Sequence, residues 1–425
     1  MTAREVAYCA LEQIEEKGGF SNLVLKEMLK SSGLSKRDKG LVTALVYGVL
    51  RDRLFLDEQI GRFCRMSQTP PKVLRLLRLG AFQLCRMDKI PPSAAVNETV
   101  ILAKKFAPRG AGCCNGVLRK LAEQGVILPP KEDRLRYLSV FYSFPMWLVK
   151  KWEKQFGLEE LEPLLDGLSR HRPLSVRVNL KKAAVGEVRQ EIPGLTPTHL
   201  PDAFVLSGSE SIEALPAWQE GRITAMQLSS MTACLAAEVK PGMRVCDMCA
   251  APGGKTAYLA QLMEHRGRID AWELHPHRAE LLKRNLERLG VEIAVVACRD
   301  SSVYEESLGE CFDTVLLDAP CSGLGVINQK PELKWQDPDR MKELLPIQRQ
   351  LLLTGARYVK PGGTLLYSTC TLNRAENETM AAWLTQQVPG MRLDPAFGEG
   401  TGMKNLLPHK DGMGGFFIAR LKKSL

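Results

Sequence analysis

The sequence predicts a multidomain chain in three parts: an all-helical N-terminal bundle over residues 1–130, a small α/β connector over 131–222, and an open, mostly parallel α/β sheet over 223–425. Three observations predict it. Apolar residues recur at helical steps through the first third, as in Val6, Ala10 and Ile14 or Leu41, Leu45 and Val49. Leu174–Leu180 alternates with period two, which is the pattern of a half-buried strand. Beyond residue 223, short apolar runs are separated by longer helical patterns, the rhythm of β-α-β units.

In the first part, Ser35 stands as an N-cap ahead of Lys36-Arg37-Asp38, and Gly18-Gly19 and Gly33 punctuate the runs. Pro70-Pro71 and Pro91-Pro92 break the pattern again, so four to six helices are expected. Arg51, Arg53, Arg62, Arg65, Lys72, Arg75 and Arg78 recur between apolar residues, either as solvated basic faces or as an RNA-docking surface. Residues 1–130 hold 21 Lys and Arg against 12 Asp and Glu, whereas the rest of the chain holds 37 against 36. Nine of the ten net positive charges therefore belong to the helical part, which favours a polyanion, nucleic acid first, as partner.

Leu128-Pro129-Pro130 closes the bundle, and a helical pattern returns over 134–169 with Trp147, Leu148, Trp152 and Phe156 as a packed stripe. In the last part the expected strands are Arg244–Met248, Arg268–Glu273, Ala294–Cys298, Thr314–Leu317 and Thr364–Tyr367, and the clearest helices are Arg278–Leu289 and Met341–Val359. No apolar run reaches the eighteen or so residues of a membrane span, and the opening residues lack a signal-peptide pattern, so a cytoplasmic location and no membrane partner are the expectation. The 12 cysteines are scattered through a long chain, as reduced thiols are. Cys246-x-x-Cys249 has no second C-x-x-C and no histidine pair at finger spacing, so no metal is expected.

The chemistry gathers at the carboxyl ends of the strands, where open α/β sheets bind their ligands. The first strand runs into Cys249-Ala250-Ala251-Pro252-Gly253-Gly254-Lys255-Thr256, a tight turn feeding a helix N-terminus whose N–H groups can hold an acidic or polar ligand. Its tail resembles a phosphate loop, but that loop needs glycine five places before Gly254, where Cys249 stands, so a nucleotide hydrolase is disfavoured. Glu273 ends the second strand, where a carboxylate can take a ribose diol. Arg299-Asp300 follows the third, Asp318-Ala319-Pro320-Cys321 the fourth, and the last ends in Ser368-Thr369-Cys370-Thr371.

Two cysteines at strand ends suit one demanding reaction. C5 of cytosine is too weak a nucleophile to take a methyl group directly. A thiolate adding to C6 pushes electrons onto C5, which then attacks an activated methyl carbon. The C5 proton must afterwards leave and the thiolate be eliminated, which gives a second acid, base or thiol work to do.

The 249–256 turn, Asp318-Ala319-Pro320-Cys321-Ser322-Gly323 and Ser368-Thr369-Cys370-Thr371, in that order, resemble the RNA 5-methylcytosine methyltransferases of the NOL1/NOP2/Sun family. The resemblance implies a Rossmann-like methyltransferase domain using S-adenosylmethionine, with Cys370 as nucleophile and Cys321 assisting product release. It implies that residues 249–255 cradle the methionine and ribose part of the cofactor, with Glu273 on the ribose hydroxyls and Asp300 on the adenine amino side. Arg278 joins the cofactor-binding set, and Asp318 lies between cofactor and base.

Upstream, Ser21-Asn22, Leu45–Arg51, Leu56-Asp57, Leu77–Leu84 and Asn115–Arg119 resemble the NusB-like domain fused to a bacterial branch of the family. Ser143–Leu148 and Arg177-Val178-Asn179 are similar to that branch's connector. The implied partner is small-subunit ribosomal RNA before full assembly. Two readings stay open beside it: an RNA-binding chaperone carrying an inactive methyltransferase domain, and methylation of another RNA such as tRNA. This chain departs from the family pattern at Glu273, where aspartate is commoner, at Gln227-Leu228-Ser229-Ser230, often Gln-Asp, and at Asn328-Gln329-Lys330, usually more basic.

Overall fold

Helical periodicity becomes, among the described residues of the first 124, seven α-helices: Ala3–Lys17 (α1), Ser21–Ser31 (α2), Lys36–Arg51 (α3), Arg53–Gly61 (α4), Pro71–Arg86 (α5), Pro92–Phe106 (α6) and Ala111–Gln124 (α7). The computed structural model describes residues 1–17, 20–170, 172–207 and 211–425, so the expected Gly18-Gly19 break lies outside the described residues. There are more helices than the four to six expected because α3 and α4 part at Asp52, a junction with neither glycine nor proline to signal it. Ser35 caps α3 as expected, its hydroxyl accepting from the Asp38 N–H at 3.1 Å. Pro70-Pro71 and Pro91-Pro92 fall at breaks between helices as expected, with Pro71 and Pro92 starting α5 and α6, since a first-turn proline lacks only an N–H that would have no helical partner.

Two of the basic residues prove to be interior. Arg75 is 1% exposed and is bound by Glu12, Glu15 and Glu16 of α1 and by the Tyr8 hydroxyl. Arg78 forms a two-pronged pair with Asp57, at 2.7 and 2.9 Å, and reaches Glu15 at 3.3 Å. Neither belongs to a basic face. A buried guanidinium needs carboxylates around it, and α1 and α4 supply them.

Helices Arg134–Phe141 (α8), Met146–Phe156 (α9) and Leu158–Ser169 (α10) complete this unit, which comprises Met1–Arg170 and, from far along the chain, Ile327–Trp335. Trp152 is fully buried and meets Phe144 edge-on at 5.6 Å, in keeping with a packed stripe. The added segment is held by polar anchors. The Glu332 carboxylate accepts from the Ser21 N–H and hydroxyl, and the Trp335 indole N–H donates to the Leu50 carbonyl at 2.9 Å. Lys334 is buried, donates to the carbonyls of Arg51, Tyr142 and Ser143, and sits 3.9 Å from the centre of the Phe144 ring. Lys330 of the Asn328-Gln329-Lys330 run lies 5.1 Å from the Phe20 ring centre.

The second unit, His171–Val326 with Gln336–Leu425, holds two sheets. Leu174–Val178 (β1), Leu195–Pro197 (β2), Ala203–Leu206 (β3) and Ile223–Ala225 (β4) pair antiparallel in the order β2-β3-β1-β4, with helices Val185–Glu191 (α11) and Pro216–Gln219 (α12). β1 ends short of the expected Leu180 because the Asn179 amide turns away to the carbonyls of Gly221 and Leu289.

The larger sheet contains Arg244–Asp247 (β5), Arg268–Glu273 (β6), Ala294–Cys298 (β7), Phe312–Asp318 (β8), Val359–Thr369 (β9), Met391–Leu393 (β10), Met403–Leu406 (β11) and Phe416–Lys423 (β12). Its order is β10-β12-β9-β8-β5-β6-β7, with β11 also on β12. β5 to β9 run parallel, as expected. The three C-terminal strands, which the sequence does not signal, add an antiparallel edge. Alternate side chains explain the two-sided core. Val245, Leu316, Leu366 and Ile418 belong to one apolar cluster, which includes residues of Leu228–Ala236 (α13) and Gly254–Leu262 (α14). Cys246, Val315, Leu317, Leu365, Tyr367 and Phe417 belong to another, with residues of Leu344–Tyr358 (α17) and Glu378–Gln387 (α18). Burying each Leu or Val here contributes about 1.5–3 kcal/mol. Pro276–Leu289 (α15) follows β6, and the expected Met341–Val359 helix divides into Pro338–Lys342 (α16) and α17. No helix among the described residues is long and apolar enough to cross a membrane.

Candidate active site

The chain runs outward from β5 to β6 and β7, then returns to the other side of β5 with β8. That reversal opens a crevice beyond the carboxyl ends of β5 and β8, the usual ligand position in such sheets. Asp247 and Asp318 end these two strands.

The 248–253 turn is pinned from below. Ala250 N–H donates to Trp272 O at 2.8 Å, and Gly253 N–H returns to Ala250 O at 2.8 Å. Gly253 has φ +104°, and a Cβ there would lie 2.9 Å from the Leu282 methyl, so both backbone and space require glycine. Asp247 is completely buried and accepts from the Thr256 hydroxyl at 2.7 Å. Burial outweighs that bond and pushes its carboxyl up to about 6. Cys246 is buried and Cys249, within the turn itself, is half-buried; burial raises both thiols above their ordinary range. Lys255, at the start of α14, points to Asp318, donating to Oδ2 at 2.7 Å. Burial disfavours its charge, but the Asp318 carboxylate more than compensates and raises its pKa.

Glu273, 3% exposed at the end of β6, accepts from the His275 N–H at 3.1 Å and lies 3.4 Å from the Arg278 guanidinium. Arg278 also donates to Ala251 O at 3.1 Å, so it ties the glycine turn to Glu273. Asp300, exposed after β7, accepts from the Ser302 hydroxyl and N–H, which hold its carboxyl below the ordinary range.

The remaining predicted residues converge. Asp318 has both oxygens engaged, Oδ1 by the Ser368 hydroxyl at 2.7 Å and Oδ2 by Lys255. Cys321, three residues beyond β8, and Cys370, one beyond β9, bring their sulfurs within 3.4 Å. Hydrogen bonding to Cys370, and then burial, lift the Cys321 thiol well above its ordinary range. The two loops are also joined by Gly325 N–H to Cys370 O and Ala319 N–H to Ser368 O, each 2.9 Å. Sequence reasoning did not find Glu376, which lies buried under both loops and bonds to Ser322 at 2.5 Å. The only signal was its position six residues beyond Cys370 in a polar turn.

Glycine turn, acidic strand ends and paired thiols on a parallel sheet with an antiparallel edge define a Rossmann-like methyltransferase domain. Residues 234–422 match the family model for the 16S rRNA methyltransferase RsmB/F, residues 1–123 that for the NusB family, and residues 144–209 that for the RsmF/B-like ferredoxin-like domain. The probable ribosomal RNA small subunit methyltransferase B of Bacillus subtilis is 35% identical, with 99% of each chain covered. Its namesake in Synechocystis is also 35% identical, over 100% of both chains. The crystal structure of PH0851 superposes with a TM-score of 0.83 at 28% identity, covering 98% of this chain and 97% of that one. The chain belongs to the RsmB family of 16S ribosomal RNA methyltransferases, with its NusB domain and ferredoxin-like connector.

Proposed function

We propose that the chain transfers a methyl group from S-adenosylmethionine to C5 of a cytosine in 16S ribosomal RNA, through a covalent bond between Cys370 and C6. The observation that carries this reading is the 3.4 Å approach of Cys321 and Cys370 beside Asp318, at the open ends of β8 and β9. A helix N-terminus behind a glycine turn and the buried Glu273 one strand away suit the charged amino acid end and the ribose diol of that cofactor. Cys249, Ala250, Ala251, Pro252, Gly253, Gly254 and Lys255 would cradle it, Glu273 would hold the ribose hydroxyls, Arg278 would fix the turn against Glu273, and Asp300 would meet the adenine amino group. When bound, S-adenosylmethionine supplies an electrophilic methyl carbon.

The protein's own groups do the rest. Cys370 adds as thiolate to C6, and the ring electrons move to C5, which forms the new carbon–carbon bond. A base then takes the C5 proton, the C5–H electron pair re-forms the C5=C6 double bond, and the C6–S bond breaks so that Cys370 leaves as thiolate. Cys321, kept protonated by burial and by its bond to Cys370, suits a role in release better than nucleophilic attack. Lys255 and Ser368 fix Asp318 so that it can meet the base edge. The cytosine must be unstacked to reach Cys370, which favours RNA not yet closed into the assembled subunit. We assign residues 1–130 to RNA binding, 131–222 to the connector and 223–425 to catalysis, and the work to the cytoplasm.

The test is transfer of labelled methyl groups to protein-free small-subunit rRNA. Cys370→Ala is expected to abolish 5-methylcytosine formation, and turnover by that variant would refute the nucleophile. Cys321→Ala is expected to retain RNA in a denaturant-resistant complex through Cys370; no complex would refute the release role.

A further inference from the structure

Two thiols on separate loops must keep their spacing while one of them is bonded to RNA. Beneath them lies a carboxylate without a role in the chemistry above. Glu376 is completely buried, and its side chain accepts four hydrogen bonds: from the Ser322 N–H at 2.9 Å, the Ser322 hydroxyl at 2.5 Å, the Asn373 amide at 2.7 Å and the Gln348 amide at 3.0 Å. Those donors come from the Cys321 loop, the Cys370 loop and α17. The Gln348 amide also donates to Pro320 O at 2.8 Å, beside Cys321. The Ser322 hydroxyl gives its proton to Glu376, so the Thr371 hydroxyl, 2.8 Å away, is the donor to Ser322. The Glu376 backbone carbonyl accepts from the Tyr367 hydroxyl at 2.6 Å, which ties the knot to β9.

A buried carboxylate persists only where donors fill its lone pairs, and here two of the four come from the residue next to Cys321. A simple scaffold would spread its bonds over the strand frame, but these converge on the two cysteine loops. We propose that Glu376 is a positioning residue that sets the Cys321 thiol against Cys370 and thereby governs release of the methylated RNA. The proposal rests on the two-cysteine reading above.

Glu376→Gln keeps the shape but puts an NH₂ where an oxygen accepted, so at least one donor loses its partner. In the full-length protein, kcat for 5-methylcytosine formation is expected to fall by roughly ten- to a hundredfold, the scale of a misplaced catalytic group. KM for RNA and for S-adenosylmethionine should stay within about twofold. A denaturant-resistant RNA complex, lost again in Cys370→Ala, should accumulate during turnover. Ser322→Ala removes the hydroxyl's bonds to Glu376 and Thr371 and leaves the carboxylate its other donors. It should trap a smaller amount, and it decides the matter if Glu376→Gln does not fold. Unchanged kcat without a trapped complex would overturn the proposal. So would parallel loss of complex, turnover and heat stability, the signature of a scaffold. Failure of the wild type to methylate, or of Cys321→Ala to trap RNA, would instead overturn the two-cysteine reading and this proposal with it.

Discussion

Asp247 shows how one residue can serve the site while weakening the fold. It ends the central strand under the glycine turn, fully buried, with the Thr256 hydroxyl on one oxygen. Its carboxyl is pushed from an ordinary 3.8 up to about 6, chiefly by burial. A carboxyl with a raised folded pKa holds its proton more tightly folded than unfolded. Its contribution to stability is therefore full below pH 4 and is lost as pH climbs through about 6. Asp247→Asn keeps an oxygen for Thr256 and has no charge to bury. The stability of the variant relative to the wild type is expected to grow from about pH 4 to about pH 7, by an amount on the order of 3 kcal/mol. Denaturant unfolding of the two proteins across that range checks it, and a difference independent of pH would mean that Asp247 is not destabilised by its charge.

At the scale of elements, the parallel strands β5 to β9 were legible because each holds a short apolar run, such as Val245-Cys246, Val295-Val296 or Val315–Leu317, and helical patterns separate most of them. The antiparallel edge was not. β10 and β11 are three and four residues long, and β12 buries Arg420, whose guanidinium is met by Asp394 at 2.8 Å, so its pattern does not read as core. The cysteines were legible because their chemistry is rare and their strand ends are abrupt. Glu376 was not, since its meaning depends on α17 and two loops meeting, which no spacing encodes. Arg75 and Arg78 read as surface charge until the acids of α1 and α4 lie against them. The same holds for Ile327–Trp335, which begins six residues after Cys321 yet packs within the helical unit. Trp335→Ala removes an aromatic side chain, the bond to Leu50 O and a ring 5.3 Å from the Arg53 guanidinium. It is expected to cost about 2–3 kcal/mol of stability, less than a fully buried tryptophan because Trp335 is half-buried. Amide exchange should rise first across 327–335 and its neighbours on α3, and unaltered exchange there would mean the segment is not held by this side chain.

For the molecule as a whole, the charge asymmetry needs correcting by what the fold consumes. Residues 1–130 carry nine net positive charges, and the cluster of Arg75 and Arg78 with Glu12, Glu15, Glu16 and Asp57, two cations against four carboxylates, contributes none of that excess. The charge available to a polyanion is therefore carried by exposed residues such as Lys104 and Arg109 and, on α7, Arg119 and Lys120. These two classes separate experimentally. If α7 faces phosphates, the pair Arg119→Glu and Lys120→Glu should weaken binding of protein-free small-subunit rRNA and flatten its salt dependence. The slope of log affinity against log salt should fall by roughly 0.7 for each single-strand phosphate that the variant no longer neutralises. Arg78→Gln should leave that slope alone and instead lower stability by about 3 kcal/mol, because Asp57 is left without the partner that offsets its burial. Equal slopes for the α7 variant and the wild type would exclude this helix from the RNA-binding face. A flattened slope for Arg78→Gln without loss of stability would show that the buried ion pairs open to meet RNA.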